Sequence, residues 1–413
     1  MTGPEAERYL LSLELFGMRF GTDRMRRLMT ALRHPERSFD SIHVVGTNGK
    51  SSTTRMIAAI LARHGLRTGA YLSPHLISFG ERIRIDDRDL APAAFGAAVA
   101  RAARAAALVD RSLEEGDRVT QFEALTAAAF SELARGEVAV AVIEAGLGGR
   151  YDATNVIPSS VSVLTSVGLE HTRWLGPTLT DIAREKLDVL VPGTLLVLGA
   201  DLPAEVVLVA DEISAERDAR IIHAGTDPGV PVGAVGAFQR RNFALARAAA
   251  EAYLGELDEQ AVAAAAAEVR VPGRLQQIDS EPLTLLDGAH NPDGMRALVQ
   301  SLADIVAGRE RLVATLSILD DKDAAGMLAA LLPACDAIVL TSSQNPRSLP
   351  PPTLQSLARQ LGGPPAEIVA DPRRALARAR ELAGPGGVVI ATGSLYLVAD
   401  LLATGRGRRA SIL

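Results

Sequence analysis

Residues 46–53 combine the groups needed to hold a phosphate. Gly46-Thr47-Asn48-Gly49 is followed by Lys50 and the hydroxyl residues Ser51, Ser52 and Thr53. An apolar run, Ile42 to Val45, precedes them and reads as a buried strand. Met56, Ile57, Ile60 and Leu61 follow at helical spacing. Strand, glycine-rich turn, Lys-Ser and helix is the arrangement that cradles a phosphate. Backbone N–H groups and the helix N-terminus face the anion, the lysine adds a point charge, and a hydroxyl reaches Mg²⁺. Val44 stands where the usual pattern has an earlier glycine, so the loop is a variant. The same residues also suit a tight strand-to-helix turn with a surface lysine.

Further candidate groups stand at the ends of apolar strands. Val138 to Ile143 is apolar on both faces, as a central parallel strand should be, and ends in Glu144-Ala145-Gly146-Leu147-Gly148-Gly149-Arg150. The strand from Ser160 to Val167 ends in Gly168-Leu169-Glu170-His171, and a strand at 283–287 ends in Asp287-Gly288-Ala289-His290-Asn291-Pro292. Open α/β sheets bind ligands at this carboxyl edge. His171 at such an end suits either a site or a structural group. Thr120 and Glu123 have capping-box spacing, which gives Glu123 a structural reason to be there.

The elements that must position these groups follow from the pattern. Residues 5–32 read as two helices around a turn, whose Phe16, Met18 and Phe20 suit a pocket or a core. Thr68–Leu72 reads as a strand, Phe79–Arg84 as a loop, and 90–109 as an Ala-rich helix. Further helices are expected at 181–186, after Phe238 and at 257–269, with a strand from Gly193 to Gly199. Val271-Pro272-Gly273-Arg274 breaks the pattern, which puts a boundary between domains at 1–270 and 271–413. The second half alternates strands at 283–287, 311–316, 336–341, 366–370 and 387–391 with helices, one beginning at Pro350–Pro352. This predicts two α/β domains, a P-loop-type nucleotide-binding domain and a smaller Rossmann-like one.

Composition excludes several classes. The chain has 413 residues and a net charge of −6, with no dense basic run, which argues against nucleic acid as a partner. No apolar run is read as long enough for a bilayer, the first residues lack a signal-peptide layout, and the single Cys335 excludes an intrachain disulfide. Cys335 sits among apolar residues and is expected to be buried. A cytoplasmic location follows. Arg406-Gly407-Arg408-Arg409 reads as a solvated tail.

Several of these runs together resemble one family. The phosphate loop, Ser73-Pro74-His75-Leu76, Glu144 to Asn155, Pro272-Gly273-Arg274 and Asp287 to Pro292 are similar to folylpolyglutamate synthase/dihydrofolate synthase, in the Mur ligase superfamily. The likeness runs to Gly393-Ser394-Leu395-Tyr396 and so covers nearly the whole chain. Any Mur-type ligase fits the phosphate loop. The Ser-Pro-His-Leu turn and the Leu-Gly-Gly-Arg-x-Asp-Ala-Thr-Asn run belong to the folate branch. About forty residues precede the loop, too few for the extra N-terminal domain of a peptidoglycan-type ligase.

The resemblance implies ATP-dependent amide formation. A folate or dihydropteroate carboxylate attacks the γ-phosphate, and the amine of L-glutamate then displaces phosphate. ATP contacts carry over to Gly46, Thr47, Asn48, Gly49, Lys50, Ser51, Ser52, Asn242, Arg274 and Asp287. Ser73 and Glu144 would serve one Mg²⁺, with Ser51 or Ser52 as the metal-facing hydroxyl, and His171 would serve a second ion. Lys186 matches a position that can be carbamylated, and the family allows a monovalent cation. The folate or dihydropteroate side carries over to Thr120, Gln121, Phe122, Glu123, Tyr151, Asp152 and Ala153. His290, Ser394 and Tyr396 lie on the glutamate side, and Lys50, Lys186, His290 and Arg274 carry the chemistry. A monomer is expected. The chain departs from the family pattern at Ser51 (usually Gly), Glu170 (usually Asp), Gly80 (usually Asn) and Tyr151 (usually Leu or Phe).

Overall fold

The computed structural model describes residues 1–13 and 21–403. The turn with Phe16, Met18 and Phe20, and the Arg406–Arg409 segment, lie outside the described residues.

The first sheet gathers strands β1 (Asp40–Val45), β2 (Thr68–Tyr71), β3 (Ile83–Ile85), β4 (Arg88–Asp89), β5 (Val140–Glu144), β6 (Val161–Leu164), β7 (Leu195–Leu198) and β8 (Arg220–His223). Their order is β4-β3-β2-β5-β1-β6-β7-β8. All pairs are parallel except those of β3 and β4. The helices are α1 (Gly3–Ser12), α2 (Asp23–Ala31), α3 (Lys50–Arg63), α4 (Pro92–Asp110), α5 (Gln121–Arg135), α6 (Thr172–Leu175), α7 (Leu179–Leu187), α8 (Ala204–Glu216), α9 (Ala237–Leu254) and α10 (Glu259–Glu268).

Both faces of this sheet are covered, so its central strands read as continuous apolar runs. On β5, Ala141 and Ile143 join the core under α1, α2, α4 and α5. Val140 and Val142 join the opposite core under α3, α9 and α10. The helix α4 is long and apolar enough to cross a bilayer, by length and composition, although no such run was expected from the sequence. Its Phe95, Ala98, Val99 and Ala102 are buried in the core shared with α5.

The second sheet holds β9 (Gln276–Ser280), β10 (Leu283–Leu286), β11 (Leu312–Leu316), β12 (Ala337–Leu340), β13 (Ala366–Ile368) and β14 (Val388–Thr392), in the order β13-β12-β11-β14-β10-β9. It is parallel except for the edge strand β9. Helices α11 (Pro292–Val306), α12 (Ala324–Leu331), α13 (Pro351–Gln360), α14 (Pro372–Ala383) and α15 (Leu395–Leu402) accompany it. Cys335 is buried, and burial pushes its thiol up to about 12.

The sequence reading differs from the structure at several elements. Residues 79–84, expected as a loop, hold a short 3₁₀ turn and β3. The pair α8 and β8 was not anticipated, nor was β9. Both strands are edges with partly exposed, largely polar faces, so they lack the apolar signature of an interior strand.

Candidate active site

The chain leaves β1 and crosses to β2, while β5 fills the gap between them and leads on to β6 on the far side of β1. This reversal is a topological switch point, and the carboxyl ends of β1, β5 and β6 meet there. A cavity of about 1240 Å³ opens at this edge and extends to the second domain.

The phosphate loop joins β1 to α3. Gly49 stands before α3 at φ +87°, and a Cβ there would lie 2.7 Å from Asn242 Oδ1, so only glycine fits. Two hydroxyls at the end of β6, which the sequence reading missed, brace the loop. Thr165 Oγ1 and Ser166 Oγ donate to Asn48 O at 2.7 and 3.0 Å. Lys50 Nζ donates to Gly46 O at 3.0 Å and Thr47 O at 3.2 Å, so the ammonium lies over the loop.

Ser51 Oγ donates to Glu144 Oε1 at 2.8 Å, and Ser73 N–H donates to Oε2 at 3.0 Å. Ser51 is thus the hydroxyl that meets the carboxylate, while Ser52 is buried on the same helix turn. Burial raises the Glu144 pKa against the pull of Lys50. A hydroxyl and a carboxylate beside a phosphate loop are hard oxygen donors, the type Mg²⁺ takes together with phosphate oxygens and water. The residues fit the ion on that ground. Among the described residues no three His, Cys, Asp or Glu side chains converge as a metal cluster. His171, at φ +54°, is held down to about 4, chiefly by burial, so its ring is neutral at pH 7.

Lys186 projects from α7 and is buried, with Nζ donating to Gly46 O at 2.9 Å. Burial, reinforced by Lys50, brings its amine down to about 7.

Thr120 and Glu123 close a capping box at the start of α5 on the opposite wall. Arg24 Nε of α2 donates to Glu123 Oε1 at 3.0 Å, so this carboxylate is committed to protein partners. Phe122 lies against the backbone of Gly146, where a Cβ would fall 2.5 Å from its ring. Asp152 is buried. It accepts from Leu147 N–H at 2.8 Å and Thr154 N–H at 2.9 Å, and from Thr154 Oγ1 at 2.6 Å. Behind Thr154 stands His43, fully buried on β1, with Nε2 2.8 Å from Thr154 Oγ1. Ala153 and the half-exposed Tyr151 line the same wall. Gln121 does not. Its amide donates to Leu10 O at 2.8 Å and ties α5 to α1, so its side chain stands apart from the other residues expected on the substrate side.

The second domain closes the cavity. Arg274 packs against Gly288. Asp287 accepts from Leu275 N–H and Ala289 N–H at 2.9 and 2.8 Å, which braces the turn beside Arg274. His290 Nδ1 lies 2.9 Å from Gly288 O. Ser394 caps α15 and Tyr396 lines the cavity with Arg347. Glu170 of the first domain reaches into this group. Burial works to raise its pKa, but His290 and Lys322 outweigh that and hold the carboxyl well below the usual range. The sequence reading noted Glu170 only at a strand end and as a departure from the family pattern. Its partners Lys322 and Asn291 lie more than a hundred residues away and left no local signal.

A phosphate loop on one α/β domain facing a second α/β domain across a shared cavity defines an ATP-dependent ligase of the Mur type. Residues 273–395 match the family model described as "Mur ligase, glutamate ligase domain". The dihydrofolate synthase/folylpolyglutamate synthase of Mycobacterium tuberculosis is 38% identical over 382 residues, 83% of this chain and 78% of that protein. Solved structures agree. Mycobacterium tuberculosis folylpolyglutamate synthase complexed with ADP superposes with a TM-score of 0.90 at 34% identity, covering 98% of this chain and 99% of that one. A bifunctional folylpolyglutamate synthase/dihydrofolate synthase with Mn, AMPPNP and L-glutamate bound gives 0.84 at 30%, covering 97% of each. The chain belongs to the dihydrofolate synthase/folylpolyglutamate synthase family.

Proposed function

We propose that the chain joins L-glutamate to a reduced folate, and to dihydropteroate, at the expense of ATP and through an acyl phosphate. One observation carries this reading. A single cavity runs from the phosphate loop at Lys50, past Phe122 and Asp152, to His290 and Tyr396. All three reactants can therefore meet in it.

A carboxylate attacking a triphosphate brings anion to anion, so the protein's task is to neutralise charge and align the groups in line. Lys50 and the loop amides hold the β- and γ-phosphates, while Asn242 and Asp287 frame the nucleotide. Arg274 offers the γ-phosphate a planar fork. Ser51, Ser73 and Glu144 would hold Mg²⁺, which when bound neutralises the phosphate oxygens. His171, a neutral ring, would serve a second ion. The amine of Lys186, brought down to about 7, is the nucleophilic form that carbamylation by CO₂ requires. Phe122 offers a ring face to the pterin, and Asp152 stands on the same wall of the cavity. His290, Ser394 and Tyr396 receive L-glutamate.

We divide the domains at 1–270 and 271–413, because the first sheet ends at His223 and the second begins at Gln276. A cytoplasmic location fits a chain whose one cysteine is free and buried.

The acyl phosphate leaves an isotopic trace. An acceptor labelled with ¹⁸O in its carboxylate should transfer one labelled oxygen to inorganic phosphate for each amide formed. Phosphate without label would exclude carboxylate activation.

A further inference from the structure

Three polar groups from the second domain converge on one carboxylate of the first. Lys322 Nζ donates to Glu170 Oε1 at 2.8 Å, His290 Nε2 lies 3.4 Å from the same oxygen, and Asn291 Nδ2 donates to Oε2 at 2.9 Å. Asn291 also exchanges amide hydrogen bonds with Asn48 of the phosphate loop, at 3.0 and 3.1 Å. The side chains of Glu170 and Lys322 are only 11% and 12% exposed, so solvent screens this pair far less than a surface pair. These contacts are cross-domain and sit between the nucleotide loop and the turn that carries His290.

We infer that Glu170 is an interdomain positioning residue that keeps the activated carboxylate and the incoming amine within reach of each other. The inference rests on the proposed ligase reading and adds a determinant of its efficiency. The acyl phosphate has two fates. Attack by the glutamate amine forms a C–N bond, breaks the bond between the acyl carbon and the phosphate oxygen, and releases phosphate and a proton. Attack by water breaks the same bond but returns the acceptor carboxylate, so ATP is consumed for nothing. Domain docking decides between them, because it sets the distance to the amine and excludes water. Glu170 holds Lys322 and Asn291 of the second domain at that junction, so losing its charge loosens the docking while both half-sites stay intact.

The test compares the full wild-type chain with E170Q, E170K and the charge swap E170K/K322E. Two quantities are read: phosphate released per glutamyl product, and the KM values for L-glutamate and ATP. E170Q should raise the phosphate-to-product ratio from about one to several and the glutamate KM by about 10-fold, with the ATP KM within about twofold. The swap should recover part of the ratio lost in E170K, which a residue important only for folding would not do. A ratio near one with an unchanged glutamate KM in E170Q overturns the inference. So does a change confined to metal affinity, which would mean that Glu170 acts through His171. X-ray scattering of the nucleotide-bound chain supplies a readout independent of catalysis. E170Q should be more expanded than wild type, and equal dimensions would contradict the latch. If wild type makes no glutamylated product yet E170Q expands, the ligase reading fails and the latch stands.

Discussion

Lys186 combines a cost in stability with the proposed use in chemistry. Its buried amine donates to Gly46 O and is brought down to about 7, chiefly by burial. Between pH 7 and 10.5 the unfolded chain holds a proton on this lysine that the folded chain does not. Folding stability therefore rises with pH across that window and is flat below it. Replacing the amine by an apolar side chain of similar length removes the penalty. K186M should be more stable than wild type at pH 7 by a few kcal/mol and should lose ligation. The gap in Tm between the two should narrow as pH rises from 7 to 10, measured in CO₂-free buffer. A constant gap would mean that Lys186 keeps its proton in the folded protein.

The site is assembled by elements meeting at close quarters. Gly149 shows how tight this is. A Cβ there would lie 2.5 Å from Lys186 O and 2.7 Å from Glu185 O, both backbone atoms at the end of α7. G149A must push α7 off the turn that follows β5, at about 1–3 kcal/mol. Denaturant unfolding should show that loss, and activity should fall further because Lys186 moves with the helix. Unchanged stability would mean that α7 shifts freely. At this scale the sequence was readable where burial is two-sided. The apolar runs of β1 and β5 mark interior parallel strands, and the polar residues at their ends mark the cavity edge. Edge strands were not readable. The polar residues of β9 and the half-exposed β8 carry no pattern apart from the sheet they join. The contact of Gln121 with Leu10 was not readable either, because a capping-box neighbour and a cavity residue look alike until Leu10 is placed beside it.

Across the whole molecule, the proposed reaction divides between the two domains. The first offers the nucleotide loop, a carboxylate and hydroxyl for a metal ion, and a wall with an aromatic ring and a buried Asp152. The second offers Arg274, His290 and the α15 cap. The sequence names most of these groups because each stands at a strand end. It does not name the contacts that join the halves, since Glu170 and Lys322 are 152 residues apart and meet only when both domains are folded. The central claim is that both halves act on one acceptor. The most direct measurement is phosphate release from ATP by the purified chain with Mg²⁺ and L-glutamate, adding dihydropteroate or tetrahydrofolate in turn. Glutamate-dependent release with both acceptors is the predicted result. No glutamate-dependent release with either would contradict the account.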